Sequence, residues 1–205
     1  MKLVKALFLD VGGVLLTNGW GRQSRRQAAQ LFSLDITILE ERHHLTFDAY
    51  EAGKLSLDAY LDRVVFYEPR PFSREDFTAF MFEQSKPFPD MINLVSRLKG
   101  QYGLKLATVN NEGAEFNNYR IKQFELASFI DVFISSCYVH LRKPDTDLFQ
   151  LAFDVMQLKP DEVIYIDDRL VFVEVAQSLG MRAICHQTVD ETRKSLAEMG
   201  LSLPD

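Results

Sequence analysis

The sequence predicts an α/β fold: a doubly wound parallel sheet with a small helical block inserted after its first strand. Two observations carry this reading. From Pro89 onward, short apolar runs alternate with amphipathic stretches of helical length, the pattern of parallel strands joined by right-handed helical crossovers. Between Ser24 and Phe82, apolar residues instead recur at three-to-four spacing in four consecutive segments with no strand between them. At 205 residues, 47% of them hydrophobic, the chain has material for one domain with a smaller insert around a sizeable core.

The elements follow in order. Residues 3–9, LVKALFL, form a short apolar run that stops at Asp10 and the Gly12-Gly13 turn signal, so they read as a buried strand. The helical block is QAAQLFSL, ILEERHHLTFDAYEAG, SLDAYLDRVVFY and SREDFTAFMFEQ, with Ser56 and Ser73 placed as N-caps, the latter three residues before Asp76. Pro69, Pro71, Pro87 and Pro89 mark joints. MINLVSRLKGQYG then reads as a helix closed near Gly103, LKLATV as a strand and EFNNYRIKQFELASF as one helix. DVFISS is a strand, PDTDLFQLAFDVMQL a helix and VIYIDD a strand. VFVEVAQSLG is a helix closed by Gly180, RAIC a last strand and ETRKSLAEMG a last helix.

Composition excludes several classes of function. The net charge of −6 argues against general binding to nucleic acid or anionic membranes, although it does not fix the field inside a cleft. Cys137 and Cys185 are far apart and lack metal-site spacing, so both are expected as buried free thiols in a reducing compartment. No run of about 18 apolar residues is present, so no membrane span is expected. Lys2 and Lys5 precede an apolar stretch broken by Asp10 without a small-residue cleavage site, which argues against a secretory signal. A cytoplasmic protein with a small-molecule partner is the expectation.

In open α/β sheets, ligands bind beyond the carboxyl ends of the strands. Those ends carry Asp10, then Asn110 and Asn111, then Asp167 and Asp168, while Lys143 precedes Pro144 on the way into a helix. Three acidic groups at one edge repel one another unless a cation joins them, and Mg²⁺ suits an all-oxygen ligand set. Each residue also has a plainer reading. Asp10 could cap the Gly-Gly turn, Lys143 could be solvated, one of Asp167 and Asp168 could be a helix N-cap, and Asn110 could belong to a turn.

DVGGV at 10–14, VNNEG at 109–113, RKPD at 142–145 and IDDRLVFVEVAQSLGM at 166–181 resemble, in order, the four motifs of the haloacid dehalogenase-like hydrolases. The resemblance spans almost the whole chain. It implies a Rossmann-like core of residues 1–16 and 87–205, with 17–86 as that family's first-type helical cap. It further implies a Mg²⁺-dependent phosphatase of a small phosphorylated metabolite. Asp10 would be the nucleophile that forms an aspartyl-phosphate. Lys143 would neutralise charge on the transferring group. Asp10, Asp167, Asp168 and the Gly12 carbonyl would hold the metal. Gly12, Gly13, Asn110, Asn111 and Lys143 would contact the phosphate, with Asn110 standing where the family has Ser or Thr.

Two positions depart from the pattern. The family's phosphatases carry a second aspartate two residues after the nucleophile as general acid and base, worth about 10²–10⁴-fold, and here that position is Gly12. This keeps a second reading open, a catalytically weak phosphate-binding or interaction module. A dehalogenase ranks third, because those enzymes usually have an aromatic residue at that position. Phe172 occupies a place often taken by asparagine, which removes a supporting hydrogen bond. His43 and His44 are expected as surface or cap-core residues. Trp20 and Arg22, in TNGWGR, lie in the hinge and either pack there or face substrate. Glu112 either contacts substrate or caps a helix.

Overall fold

The computed structural model describes residues 3–204; Lys2 of the N-terminal segment lies outside the described residues. β1 (Ala6–Leu9), β2 (Lys105–Asn110), β3 (Val132–Ser135), β4 (Val163–Asp167) and β5 (Arg182–Cys185) form one parallel sheet in the order β3-β2-β1-β4-β5. β1 is central, and the sheet winds outward from it in both directions. The register pairs Leu9 with both Thr108 and Ile166, and Asp167 with Cys185. Asp10, Asn110 and Asp167 therefore end neighbouring strands on one edge of the sheet.

Period-two alternation splits the strands between two cores. Leu7, Leu9, Leu106, Ile164 and Ile166 face α5 (Pro89–Tyr102) and α10 (Val189–Glu198), which contribute Leu94, Leu98 and Leu196. Phe8, Ala107, Val109 and Tyr165 face α8 (Thr146–Met156) and α9 (Leu170–Ser178), which contribute Phe149, Phe153 and Ala176. Local signals set the helix ends. Pro89 opens α5 at a position whose missing N–H costs nothing, and Gly103 closes it at φ 64°.

Between β1 and α5 lie α1 (Arg22–Leu31), α2 (Ile36–Glu51), α3 (Leu57–Val64) and α4 (Arg74–Glu83), with no strand among them. Ser56 and Ser73 accept hydrogen bonds from Ala59 N–H and Asp76 N–H, as their spacing predicts. These helices close on their own aromatic core, in which Trp20, Tyr50, Tyr60 and Phe77 are buried. The backbone leaves and re-enters the sheet layer side by side: Thr17 N–H donates to the Lys86 carbonyl at 2.8 Å and Phe88 N–H to that of Leu15 at 2.9 Å.

Several expected details change. The helix predicted through residue 129 stops earlier: α6 is Ala114–Gln123, Glu125 takes a left-handed conformation (φ 48°), and a 3₁₀ turn covers Leu126–Ser128. A short helix that the periodicity did not show, α7 (Ser136–Val139), follows β3. Cys137 is buried, but Cys185 is only half-buried, because it ends an edge strand beside the Asp168 carbonyl.

The helical block docks on the sheet layer through close backbone approach. A Cβ at Gly113 would lie 2.0 Å from the ring of buried Tyr50, which stacks on Tyr60 with centroids 5.2 Å apart. Gly113→Ala is therefore expected to destabilise by about 1–3 kcal/mol, the scale of overpacking. Gly100→Ala has nothing within 4 Å and removes a helix-interior glycine, so it is expected to stabilise by about 0.5–1 kcal/mol. Thermal melts of both variants check the pair; equal shifts would refute the docking argument.

Candidate functional site

The strand ends bring Lys143 and the carboxylates into one cluster. Lys143 is 1% exposed, and its Nζ donates to Asp10 Oδ1 at 2.7 Å, Asp167 Oδ2 at 2.6 Å and Tyr165 Oη at 3.0 Å. The buried stem is held at its backbone by Asn111, whose amide donates to the Lys143 carbonyl at 2.9 Å and accepts from the Lys143 N–H at 2.8 Å. Phe172 lies with its ring 4.9 Å from the ammonium, so the residue that replaces the expected asparagine offers a cation–π face in its stead.

Asp167 is fully buried, accepts from Arg169 N–H at 2.8 Å, and also takes a hydrogen bond from the Tyr165 hydroxyl. Asp168 accepts from the Asn18 amide at 3.0 Å through Oδ2, while its Oδ1 is buried without a hydrogen-bond partner among the described residues. One carboxylate oxygen from each of Asp10, Asp167 and Asp168 lies within 4.8 Å of the others. The loop after β1 curls directly against this group. Gly13 has φ 80°, and a Cβ there would sit 2.3 Å from Asp168 Oδ2, so only glycine closes the turn.

The electrostatics match the crowding. Burial, reinforced by Asp167 and Asp168, pushes Asp10 up to about 7 in spite of Lys143. Burial alone would lower Lys143, but the Asp10 and Asp167 carboxylates outweigh it and hold the ammonium charged. An oxygen-only donor set, one orphaned buried carboxylate oxygen and mutually repelling acids suit a hard divalent cation such as Mg²⁺.

A cavity of about 800 Å³ opens from Asp10 and Lys143 into the space beneath the helical block, where Trp20, Arg22 and His43 also line it. Asn111 and Glu112 border it as well. The Asn110 side chain is directed elsewhere: it accepts from Ser135 Oγ at 3.0 Å and donates to Asn117 at 3.3 Å, both buried. Its amide is therefore not brought to the Asp10 cluster. Trp20 packs in the helical block, donating to the Tyr60 hydroxyl at 2.8 Å. His43 shares that hydroxyl at 2.8 Å and burial pushes it down to about 3, whereas His44 is exposed. Glu112 forms an ion pair with buried Arg120.

Sequence reasoning missed Tyr165 and Arg120. Tyr165 was legible in principle, since strand alternation puts it on the face of Asp167 two residues later. Arg120 sits in NNYRIK, where nothing local distinguishes it from a surface arginine; it is buried because α6 packs beneath the paired linkers.

Comparison with known proteins places this geometry. The chain is 25% identical over 172 residues to Flavin mononucleotide hydrolase 1 of Arabidopsis thaliana, covering 81% of this chain and 66% of that protein. It is 29% identical over 181 residues to Sesquiterpene phosphatase astK of Aspergillus oryzae, covering 86% and 87%. Other relatives are far longer, and of one the chain spans 11%. A HAD family enzyme of Bacteroides thetaiotaomicron, solved with magnesium and inorganic phosphate, superposes with a TM-score of 0.71 at 20% identity, covering 90% of this chain and 94% of that one. Among the described residues no helix is long and apolar enough to cross a membrane. The model of the haloacid dehalogenase-like hydrolases matches residues 4–180, and this chain is a hydrolase belonging to that family.

Proposed function

We propose that the chain is a Mg²⁺-dependent phosphatase of a small phosphorylated metabolite, with Asp10 as nucleophile and residues 17–86 as a cap over the site. The observation that supports it most is the Lys143 ammonium bridging Asp10 and Asp167 beside an orphaned Asp168 oxygen. Two relatives named as a flavin mononucleotide hydrolase and a sesquiterpene phosphatase point the same way. The cavity is far larger than a phosphate, so most of it accommodates the rest of the substrate.

Asp10, Asp167, Asp168 and the Gly12 carbonyl would hold the ion. When bound, it supplies positive charge that orients the phosphate and offsets the charge of the carboxylates. Asp10 attacks phosphorus, forming an aspartyl-phosphate that water then hydrolyses. Lys143 keeps Asp10 aligned and stabilises negative charge on the transferring phosphoryl oxygens. Asn111 fixes Lys143 through its two backbone hydrogen bonds, and Gly12 and Gly13 let the loop backbone approach the phosphate. The cap excludes water and selects substrate. Release of phosphate from p-nitrophenyl phosphate, with and without Mg²⁺, in the parent and Asp10→Asn tests the reading. A folded parent without Asp10-dependent release would refute it.

Metal binding is expected to depend on pH with a definite sign. An unfolded aspartate titrates near 3.8, whereas folding raises Asp10 to about 7. Between those values the unfolded chain binds fewer protons, so the metal-free protein loses stability as pH rises. A cation requires ionised Asp10 and repays that loss, so the melting temperature gained on adding Mg²⁺ should be larger at pH 8 than at pH 6. An equal gain at both would count against Asp10 as a ligand.

A further inference from the structure

Gly12 leaves the family's general acid–base position without a carboxyl group, but the space it would point into is not empty. A Cβ on Gly12 would meet Asn18 Oδ1 at 3.1 Å and Arg120 Nη1 at 3.5 Å. Arg120 is 1% exposed and anchored on three further sides: its Nε donates to Ser85 Oγ at 3.0 Å, its Nη2 to the Thr17 carbonyl at 2.8 Å, and its plane lies 4.4 Å from the Phe116 ring. Through Nη1 it donates to Glu112 Oε1, so a carboxyl group stands one hydrogen bond beyond the place an acid at position 12 would reach. Glu112 lines the cavity, is 7% exposed, and its Oε2 is buried without a hydrogen-bond partner among the described residues. A buried carboxyl oxygen left without a hydrogen bond is costly and asks for an explanation.

We infer that Glu112 is the general acid and base of this enzyme, taking over from a second loop the role that Gly12 cannot perform, with Arg120 as its positioning residue. The inference rests on the phosphatase reading. In the first half-reaction an Asp10 oxygen bonds to phosphorus as the bond from phosphorus to the alkoxy oxygen breaks, and the proton on Glu112 Oε2 passes to that oxygen. In the second half-reaction water bonds to phosphorus and the Asp10–phosphorus bond breaks. The proton of that water returns to Oε2, which restores both groups.

Burial raises Glu112 above the usual carboxylate range against Arg120 and Lys143, the direction a general acid requires. Arg120 then stabilises the carboxylate left behind. Other titratable groups facing it do not compete. Tyr50 from α2 and Cys137 from α7 are both pushed up by burial, the thiol to about 12, and stay neutral. His43, which lines the same cavity, is pushed down to about 3, too weak a base to hold a proton at neutral pH.

The test uses leaving groups of different need. p-Nitrophenolate departs unprotonated, whereas an alkoxide such as that of glycerol 2-phosphate requires a proton. In Glu112→Gln, kcat/KM for glycerol 2-phosphate should fall by about 10²–10⁴-fold, the worth of general acid catalysis. For p-nitrophenyl phosphate kcat/KM should hold within about tenfold while kcat falls, with a burst of nitrophenolate as the phosphoenzyme accumulates. An equal loss of kcat/KM on both substrates, or no loss on either, overturns the assignment while leaving the phosphatase reading intact. The parent supplies a second measurement that needs no variant to fold. Its kcat/KM for the alkyl ester should fall on the alkaline side as Glu112 ionises, while the nitrophenyl profile stays flat there; coincident limbs overturn the assignment. A folded parent with no Asp10-dependent release overturns both readings.

Discussion

Asp10→Asn is expected to abolish Mg²⁺-dependent phosphate release, with a fall on the order of 10⁴–10⁶-fold, the scale on which loss of a covalent nucleophile acts. The substitution is nearly isosteric, and Asp10 N–H still pairs with the Ile166 carbonyl at 2.9 Å, so the strand end has no reason to move. What changes is chemistry: an amide is a poor nucleophile toward phosphorus and a poor ligand for a hard cation. Stability should move in the other direction. Asp10 is only 13% exposed at its side chain and its ionisation is opposed by burial and by two neighbouring acids, so the neutral amide relieves repulsion. A variant that is inactive yet melts at or above the parent temperature in the absence of Mg²⁺ would separate catalytic loss from unfolding. Residual activity within about tenfold of the parent would rule out covalent catalysis by Asp10.

The legibility of this molecule follows the range of the interactions involved. The strands and their parallel connection rest on local signals, since a buried parallel strand is an apolar run and its crossover helix follows at once. The strand ends then set Asp10, Asn111, Asp167 and Asp168 side by side without further information. The helical caps at Ser56 and Ser73 and the helix end at Gly103 were equally local. What the sequence did not disclose depends on side-chain direction and on distant packing. Asn110 and Asn111 are adjacent, and only the pleat decides that one amide turns toward Ser135 and Asn117 while the other clasps Lys143. Arg120 and Glu112 form a buried ion pair only because α6 runs under the two linkers, a contact spanning 103 residues from Thr17. Phe172 read as a lost hydrogen bond, because its ring reaches the ammonium of Lys143 only through the fold.

Lys143→Met is expected to destabilise the metal-free protein by about 3–5 kcal/mol, the cost of removing one partner from a buried ion pair. For a chain of this size that corresponds to a fall in Tm on the order of 10 °C. The methionine side chain fills nearly the volume of the lysine stem, so packing contributes little and the effect is electrostatic. With the ammonium gone, the Asp10 and fully buried Asp167 carboxylates face one another, and Asp168, with fewer cations to balance it, adds to the repulsion. Protonation relieves this. In the variant Asp10, already raised by burial, loses the ammonium that held it down, so its folded value lies further above the unfolded one, and stability is retained at low pH and lost as pH rises through that folded value. The deficit relative to the parent should thus be larger at pH 8 than at pH 5.5. A divalent ion replaces the missing charge, so Mg²⁺ should raise the melting temperature of the variant more than that of the parent. Activity should not return with it, because charge at the carboxylates does not substitute for an ammonium aimed at the transferring phosphoryl oxygens. Melts at the two pH values, each with and without Mg²⁺, decide the matter. A deficit independent of both would mean that Lys143 is a packing element, and the cluster of Asp10, Lys143 and Asp167 would lose its electrostatic explanation.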